Sequence, residues 1–432
     1  MTLSAAEQYL LELMNRARLD PAGEAARMGT DLNAGLAAGT IGTAAKQVLA
    51  PNAMLETAAT NHTLWMLQVD VFSHTGLNNS RPDQRITAAG YSWSTMGENI
   101  AFTGTTGAIN VQTAIEELNK NLFLSAGHRE NLMNSAYREV GLAAETGVFT
   151  QAGVNYNAEM LTEDFATSGT ARFLTGVAYA DTSRDQFYSI GEGTAGVVFT
   201  AAGQSATSAA AGGYGLSLGA AVATAVTGRQ GTLNFALTVD MSLGNVKLDL
   251  VDAKTFFTSG SVVLGTGVNN VMLLGVAGLN ASGNAAANAL TGNAGVNALI
   301  GGGGGDTLLG NAGADVLHGN SGNDRLDGGA GADSLFGETG NDILTGGADA
   351  DVFVFSKGGG VDRITDFSVA GKDVLQLDDA IWKGQVLTAA TVVSQFATLG
   401  VGEVLIDFGN GQQIHLAGLT TLTGLAAEIL IF

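Results

Sequence analysis

The chain has 432 residues, of which 62 are Gly and none is Cys, and its formal net charge is −21. The absence of Cys excludes disulfides and thiolate metal sites. The negative charge argues against nucleic acid and anionic membranes as partners, because both would repel the chain. No stretch is long and apolar enough to predict a transmembrane segment, and residues 1–9 lack the basic and then apolar pattern of a cleavable signal peptide.

Residues 1–168 have the hydrophobic patterns of an α/β domain. Ser4 and Glu7 have the spacing of a capping box, which predicts a first helix that runs to about Arg18. Further helical patterns follow at about 52–69 and 111–124. Three short motifs follow the helical pattern at 52–69, in the order Ser73-His74-Thr75, Gly97-Glu98-Asn99-Ile100-Ala101 and, after the pattern at 111–124, Gly127-His128-Arg129-Glu130-Asn131.

This ordered set of motifs resembles the CAP superfamily, whose members are also called SCP-like domains. The resemblance implies an α-β-α sandwich with a pocket of two His and two Glu, in which the His pair of some members binds a divalent metal. By match, His74 and His128 are the two histidines and Glu98 is the first glutamate. Glu117 is the predicted second glutamate, and Glu116 is the alternative.

The chemistry of this pocket leaves two interpretations open. Two neutral imidazoles can bind Zn²⁺, and a nearby carboxylate can act as a general base on metal-bound water. His74 and His128 are therefore candidate zinc ligands, and a metal-dependent, peptidase-like hydrolase is one hypothesis. The same four side chains can instead form a structural hydrogen-bond cluster, since a fold alone does not confer one activity.

Residues 171–262 are rich in Ala, Gly, Ser, Thr and Val in short alternating runs, which predicts a small β-sandwich spacer. Asp181, Ser183, Asp185 and Glu192 stand at positions 1, 3, 5 and 12 of an EF-hand-like loop. Gln186 replaces the glycine of such loops. Asp181, Asp185 and Glu192 are thus candidate calcium ligands, and a plain surface turn is the alternative.

Residues 263–356 are periodic, and the strong repeats cover 301–354 in six nonapeptides. Each unit has Gly first, Asp sixth and an apolar residue eighth. The first positions include Gly301, Gly310, Gly319, Gly328 and Gly337, and the sixth positions are Asp306, Asp315, Asp324, Asp333, Asp342 and Asp351. Four weaker copies upstream, which start at Gly265, Gly275, Gly283 and Gly292, are predicted to place Asn270, Asn280, Asn288 and Asn297 at the sixth position.

The repeat pattern predicts several calcium sites in a parallel β-roll. Ca²⁺ prefers carboxylate and carbonyl oxygens, and glycine allows the loop to turn its carbonyls inward. Two nonapeptides make one turn of the coil, so Asp residues 18 positions apart should stack. Without calcium the stacked carboxylates repel each other, and the segment should unfold.

The repeats resemble those of toxins and proteases that Gram-negative bacteria export through the type I secretion apparatus. Residues 357–432 resemble the C-terminal β module of secreted metalloproteases of that group, and Glu428–Phe432 resembles their uncleaved export signal. An ordinary last strand is the alternative for this tail. The resemblance implies an extracellular location outside a Gram-negative cell, with folding on calcium after export.

Together these patterns predict a multidomain α+β protein with four parts, at residues 1–168, 171–262, 263–356 and 357–432. Two functions remain open. The first is a secreted, calcium-binding effector whose CAP-like pocket acts on an unknown extracellular ligand, with or without hydrolysis. The second is a non-enzymatic extracellular or surface protein that binds partners or has a structural role.

Overall fold

The first helix begins as its capping box predicts: the Ser4 hydroxyl accepts the amide of Glu7, and the Glu7 side chain accepts the amide of Ser4. The computed structural model describes residues 3–219, 222–382 and 385–432. The chain divides into two units. One consists of Met1–Asn234 with Asp240–Ala253, and the other of Phe235–Val239 with Lys254–Phe432.

The first unit begins with helices around a four-stranded sheet. In chain order its elements are α1 (Ala5–Leu19), α2 (Pro21–Arg27), β1 (Ala50–Pro51), α3 (Ala53–Val69), α4 (Pro82–Ala88), β2 (Thr95–Thr105), α5 (Val111–Leu124), α6 (Ala126–Leu132), β3 (Glu139–Gln151) and β4 (Val154–Thr167). The strand order is β1-β3-β4-β2, so β2 lies at an edge.

Helices cover both faces of this sheet. On one face Met66 of α3 packs in an apolar cluster with Ile100 and Met160. On the other face Asn131 of α6 donates a hydrogen bond to Asn99 of β2 at 2.9 Å. Because β2 is the edge strand, the loops beside it lie next to both helical layers.

One glycine shows how closely α3 lies on the sheet. A Cβ atom on Gly141 would lie 1.9 Å from the carbonyl carbon of Leu55 and 2.3 Å from the amide nitrogen of Glu56. Only glycine fits at this point of β3, because any side chain would push the start of α3 away from the sheet.

The rest of the first unit is β structure, as the composition of this segment predicts. Its strands are β5 (Phe173–Tyr179), β6 (Val198–Ala201), β7 (Gln204–Thr207), β8 (Gly213–Ser217), β9 (Ala223–Gln230) and β11 (Val246–Val251), and it shares β10 (Leu233–Asp240) with the second unit, which contains Phe235–Val239. β5 lies between β8 and β11, and β6 lies between β7 and β9. Phe199 of β6 stacks on Tyr214 of β8 with ring centroids 3.7 Å apart, which joins the two groups of strands. The division between the units falls within β10 and after Ala253.

The second unit is built on a parallel β-roll. Its strands are β12 (Thr255–Thr258), β13 (Val262–Leu264), β14 (Asn270–Leu273), β15 (Asn280–Ser282), β16 (Ala289–Thr291), β17 (Ala298–Gly303), β18 (Thr307–Ala312), β19 (Val316–Ser321), β20 (Arg325–Ala330), β21 (Ser334–Phe336), β22 (Ile343–Ala348) and β23 (Val352–Phe355). Successive strands alternate between two sheets, and in the repeats each pairs with the strand 18 residues away, as in Leu308 with Leu326.

The eighth residue of each strong repeat fills the core between these sheets. Leu308, Leu317, Leu326, Leu335, Leu344 and Phe353 are all fully buried. Burying each such side chain contributes roughly 1.5–3 kcal/mol relative to leaving it exposed. The apolar ladder therefore stabilises the roll.

The chain ends with a mixed module: β24 (Val361–Ile364), β25 (Val374–Leu377), α7 (Ala389–Phe396), β26 (Ala397–Leu399), β27 (Glu403–Gly409), β28 (Gln412–Ala417) and β29 (Ile429–Ile431). β24 and β25 continue the two sheets of the roll. β29 pairs in parallel with β25, so the predicted export signal includes the last strand of one sheet. Among the described residues, no helix is long and apolar enough to cross a membrane.

Candidate calcium sites and histidine pocket

The sixth residues of the strong repeats form two ladders along the roll. Each Asp is at most 2% exposed, and its Oδ1 accepts the backbone amide of the residue 18 positions earlier. The distances are 2.7 Å from Asp306 to Asp324 and from Asp315 to Asp333, 2.8 Å from Asp324 to Asp342, and 2.9 Å from Asp333 to Asp351. The Asp residues therefore stack in the order that the repeat period predicts.

The second carboxylate oxygen of these side chains is different. In the part of the chain that the structure describes, Oδ2 is buried without a hydrogen-bond partner in Asp306, Asp315, Asp324, Asp333 and Asp342. A Cβ added to the first glycine of the same repeat would lie only 2.3–2.5 Å from this Oδ2 atom. In four of these repeats the same Cβ would also lie within 2.9 Å of the carbonyl oxygen of the glycine 18 residues later. The first positions must therefore be glycine: Gly301, Gly310, Gly319, Gly328 and Gly337.

Unpartnered carboxylate oxygens beside backbone carbonyls are the donor set that Ca²⁺ prefers. Burial raises the pKa of Asp306, Asp315, Asp333 and Asp342 to about 6 and that of Asp351 to about 7, and neighbouring carboxylates contribute for all of these except Asp315. A cation between the turns would satisfy the free oxygens and neutralise the stack. The residues present thus fit calcium.

The ladders extend further than the nonapeptides. Asp342 donates its amide to Oδ1 of Asp362 at 3.0 Å, and Asp351 donates to Oδ1 of Asp373 at 3.1 Å. These steps span 20 and 22 residues, so a search for a nine-residue period misses them. The sequence feature that these two positions share with the repeats is an Asp two residues before an apolar residue. Those apolar residues, Ile364 and Leu375, are buried in the structure.

The structure corrects the placement of two of the four predicted Asn positions. Asn288 and Asn297 do stand in the ladders, since their amides donate to Oδ1 of Asp306 and Asp315 at 2.7 Å. Asn270 and Asn280 instead pair with Ala289 and Ala298, one position after the sixth place. The cause is the uneven length of the weak copies, because the glycines that start them are 10, 8 and 9 residues apart.

The predicted histidine pocket is built around Glu98 on the edge strand β2. His74 Nδ1 donates to Glu98 Oε1 at 2.7 Å, and the His74 side chain is about half exposed. Arg85 of α4 forms an ion pair with the other oxygen of Glu98, whose side chain is 2% exposed. Arg85 also donates to the carbonyls of His74 and Ser80 at 3.0 and 2.9 Å, which fixes this loop beside Glu98.

His128 lies on α6, on the other side of the edge strand, and its Nδ1 is 2.8 Å from the Ser125 hydroxyl. Burial and the nearby His74 lower the pKa of His128, so its imidazole is neutral at pH 7. The structure thus brings His74, Glu98 and His128 into one region. Glu117 is exposed, and its carboxylate accepts the Thr103 hydroxyl at 3.1 Å.

The alternative glutamate, Glu116, accepts the Tyr9 hydroxyl at 2.7 Å. The hydrogen bonds of Glu116 and Glu117 thus join them to residues outside the His74 and Glu98 pair.

An acidic neighbour of Glu98 lies on the adjacent strand, where no sequence motif marks it. Asp164 of β4 stands directly opposite Glu98 in the antiparallel pair of β2 and β4, and both of its oxygens are buried without a partner among the described residues. Burial and the charge of Glu98 hold the pKa of Asp164 well above its usual range. A protonated Asp164 can donate to Glu98, whereas two carboxylates could not bond to each other.

Another buried group lies near this pocket on α3. His62 donates from Nε2 to the Ser73 carbonyl at 2.9 Å, and burial lowers the pKa of His62 to about 4. His62, Trp65 and Arg85 line a cavity of about 520 Å³ between α3 and α4.

The EF-hand-like loop uses its acidic side chains within the protein. Glu192 accepts the amides of Thr182, Ser183 and Ser189 at 2.9–3.0 Å. Asp181 accepts the amides of Asp185 and Gln186, and Asp185 accepts that of Phe187. The three carboxylates thus organise the turn itself, and calcium at this loop stays a prediction.

One Gly-x-Ser-x-Gly pentapeptide, Gly215–Gly219, lies outside the pocket. Ser217 ends β8, and the next regular element among the described residues is the strand β9. A nucleophile elbow needs a strand followed by a helix, so this serine does not have that geometry.

Two family models match the chain. The model of the Cysteine-rich secretory protein family, CAP, matches residues 11–156. The model of the RTX calcium-binding nonapeptide repeat matches four times, at residues 282–317, 300–335, 318–353 and 327–362. The chain combines a CAP domain with RTX calcium-binding repeats. No curated protein matches this CAP–RTX chain.

Solved structures give weaker similarities to the CAP–RTX chain. An extracellular protein with an SCP domain from Bacillus anthracis is 22% identical with a TM-score of 0.22, over 28% of this chain and 35% of its own length. An outer surface protein from Borrelia burgdorferi is 19% identical with a TM-score of 0.22, over 28% and 78%. The extracellular lipase LipA from Serratia marcescens is 17% identical with a TM-score of 0.22, over 39% and 41%. The match spans about a third of the first of these proteins.

The metal chemistry of the two regions differs. Among the described residues no three His, Asp or Glu side chains are arranged to hold a metal ion together. In the RTX roll each of the repeats from Gly301 to Gly337 has one unpartnered carboxylate oxygen, and Ca²⁺ also accepts backbone carbonyls as ligands. In the CAP pocket a zinc ion would have to be held with fewer side chains than the three protein ligands usual at catalytic zinc.

Proposed function

We propose that the protein is secreted, that its RTX roll folds when it meets extracellular calcium, and that this roll delivers the CAP domain as an extracellular effector. The observation that supports calcium-coupled folding most strongly is the row of buried, unpartnered Oδ2 atoms in Asp306, Asp315, Asp324, Asp333 and Asp342. Leaving such charged oxygens buried and unpaired costs several kcal/mol. A calcium-poor cytosol would keep the roll open for export.

This proposal includes the type I secretion apparatus of a Gram-negative bacterium as the export partner. Its support is the repeat type together with the C-terminal segment Glu428–Phe432, which has the acidic and then apolar order of such signals. An open chain can pass a narrow channel, whereas a folded roll cannot. Calcium would therefore control both export and folding.

Limited proteolysis of the full chain tests the calcium step. In EDTA we expect rapid cleavage within residues 301–354, because an open Gly-rich segment is accessible to proteases. In millimolar calcium we expect the same segment to resist cleavage. Equal resistance in both buffers would contradict the proposal.

For the CAP domain we propose ligand binding at the His74 and Glu98 pair, with a partly exposed imidazole over a buried carboxylate. A divalent metal such as Zn²⁺ held by His74 and His128, with metal-dependent hydrolysis, is the enzymatic form of this proposal. The non-enzymatic form is favoured by one observation: Arg85 and His74 already engage both oxygens of Glu98.

Metal analysis of the full chain separates these forms. After dialysis against zinc, the enzymatic form predicts bound zinc that is lost in His74→Ala. His415→Ala is a matched control, because His415 also pairs with a glutamate, Glu403, at 3.0 Å. Zinc retained equally in both variants, or bound in neither variant nor the parent chain, would overturn the zinc site.

A further inference from the structure

The RTX roll contains two repeats, starting at Gly283 and Gly292, whose ladder residue is Asn; the turns of these repeats are called Asn turns here, and those of the Asp repeats are called Asp turns. Asn288 and Asn297 are buried, 3% and 1% exposed. Their Oδ1 atoms lie 2.4 and 2.5 Å from the points where a Cβ would stand on Gly283 and Gly292. This is the place that the unpartnered Oδ2 takes in the Asp turns.

In the Asn turns this oxygen has a partner. Asn288 Oδ1 accepts the amide of Asn284 at 2.8 Å, and Asn297 Oδ1 accepts the amide of Asn293 at 2.8 Å. The side-chain nitrogens are satisfied as well. Asn288 Nδ2 donates to the Asn269 carbonyl at 3.2 Å.

Asn297 makes the equivalent side-chain bond in the next repeat, since its Nδ2 donates to the Leu279 carbonyl at 2.7 Å. Both asparagines thus link their own turn to the preceding one through backbone groups.

The second residue of each Asn turn adds another link to the preceding turn. Asn284 Nδ2 donates to the carbonyls of Gly265 and Val268, both at 2.8 Å. Asn293 Nδ2 donates to those of Leu274 and Ala277, at 3.1 and 2.9 Å. A buried polar network in which every member is satisfied stabilises a fold, whereas an unpaired buried charge opposes it.

The Asn turns also present the groups on which the first Asp turns rest. The amides of Asn288 and Asn297 donate to Oδ1 of Asp306 and Asp315, at 2.7 Å each. These bonds have the same form as those between later Asp turns. An ordered Asn turn therefore offers the next turn a preformed binding edge.

We infer that residues 283–300 fold without calcium and act as the template on which the Asp turns, beginning at Asp306, stack when calcium binds. In the Asn turns the amide group makes the contacts for which the Asp turns need a cation. Calcium-dependent folding of the Asp turns then starts from the folded residues 283–300 and needs no separate nucleation step. This inference rests on the proposed calcium-coupled folding of the Asp turns.

Hydrogen exchange of the full chain, followed by mass spectrometry at pH 8, tests the inference. In EDTA we expect peptides within 283–300 to exchange at least about tenfold more slowly than peptides within 325–348, and in calcium we expect both to be protected. Exchange of both regions at the same fast rate in EDTA would overturn the template and leave calcium-coupled folding intact. If both regions were protected in EDTA, residues 283–300 would not differ from the Asp turns, and both the template inference and calcium-coupled folding would be overturned.

A variant pair provides the second arm. Asn288→Asp with Asn297→Asp replaces two donors by carboxylate oxygens, so we expect residues 283–300 to lose protection in EDTA and regain it in calcium. Asn280→Asp is the matched control, because Asn280 is exposed and its Oδ1, which accepts the Ala298 amide at 2.9 Å, is kept. Protection in EDTA that survives the double substitution would contradict the role of the amides.

Discussion

Asp333→Asn should change the RTX roll in two opposite directions. Its Oδ1 would still accept the Asp315 amide, now at 2.7 Å. Its Oδ2, which is buried without a partner, would become an amide nitrogen; this oxygen and the Gly346 carbonyl lie 2.3 and 2.7 Å from the point where a Cβ would stand on Gly328. The calcium-free roll would lose a buried charge, and a hydrogen bond from the new amide nitrogen to the Gly346 carbonyl would contribute about 1 kcal/mol. Calcium would lose a charge-assisted ligand bond worth about 1.5–3 kcal/mol, which corresponds to roughly tenfold to hundredfold weaker binding.

Far-UV circular dichroism measures both effects. We expect Asp333→Asn to raise the calcium midpoint about tenfold or more, and to retain the calcium-free β signal to higher pH than the parent chain. Asp349→Asn removes the same charge from an exposed position of the same repeats and should change both values little. A calcium midpoint within about twofold of that of the parent chain, or a calcium-free β signal lost at lower pH than in the parent chain, would contradict the proposed role of Asp333.

Three other perturbations test separate parts of the structure. Burial raises the pKa of four ladder Asp residues to about 6 and of Asp351 to about 7, so protons stabilise the calcium-free roll below about pH 4 and this stability should disappear as the pH rises through 6–7. In calcium the roll should instead become more stable as the pH rises, because protons compete with the cation for the carboxylates. Urea unfolding from pH 4 to 8, with and without calcium, measures both pH dependences, and a calcium-free stability that does not change with pH would contradict the prediction. Gly310→Ala places a Cβ 2.4 Å from the Gly328 carbonyl and 2.5 Å from Asp315 Oδ2, so it should weaken calcium-induced folding, whereas Gly305→Ala, with its nearest atom at 3.2 Å, should not; equal calcium midpoints would contradict the packing. Glu98→Gln breaks the buried ion pair with Arg85 and should lower the free energy of unfolding of the CAP domain, measured in urea, by about 3–5 kcal/mol. Asp164→Asn keeps a hydrogen-bond donor towards Glu98 and should lower it by less than about 1 kcal/mol. Equal losses in the two variants would argue against a protonated Asp164.

The repeat region could be predicted almost residue by residue because its period is local. A nine-residue unit fixes which side chains enter the core and which stack, as the fully buried Leu308 and Leu326 show. The limit appears where the period changes. Asp362 and Asp373 continue the ladders after steps of 20 and 22 residues, and insertions of this kind are visible only once the strands are paired.

The CAP pocket was predictable only in part, for a related reason. His74, Glu98 and His128 lie within short motifs, so sequence matching finds them. Asp164 reaches Glu98 through an antiparallel pairing across 66 positions of the chain, and no local pattern marks such a contact. The position of Glu117 on the helix before His128 is the basis of its prediction as second glutamate, but helix position alone does not determine which way a side chain points; in the structure Glu117 accepts the Thr103 hydroxyl.

A calcium titration of the full chain, followed by far-UV circular dichroism at pH 7.5, measures calcium-coupled folding of the RTX roll. We expect a partial β signal in EDTA, from the first unit and the Asn turns. We also expect a large cooperative gain in β signal as calcium reaches the extracellular millimolar range, and loss of that gain when EDTA is added. A full β signal in EDTA that calcium leaves unchanged would contradict calcium-coupled folding of the RTX roll.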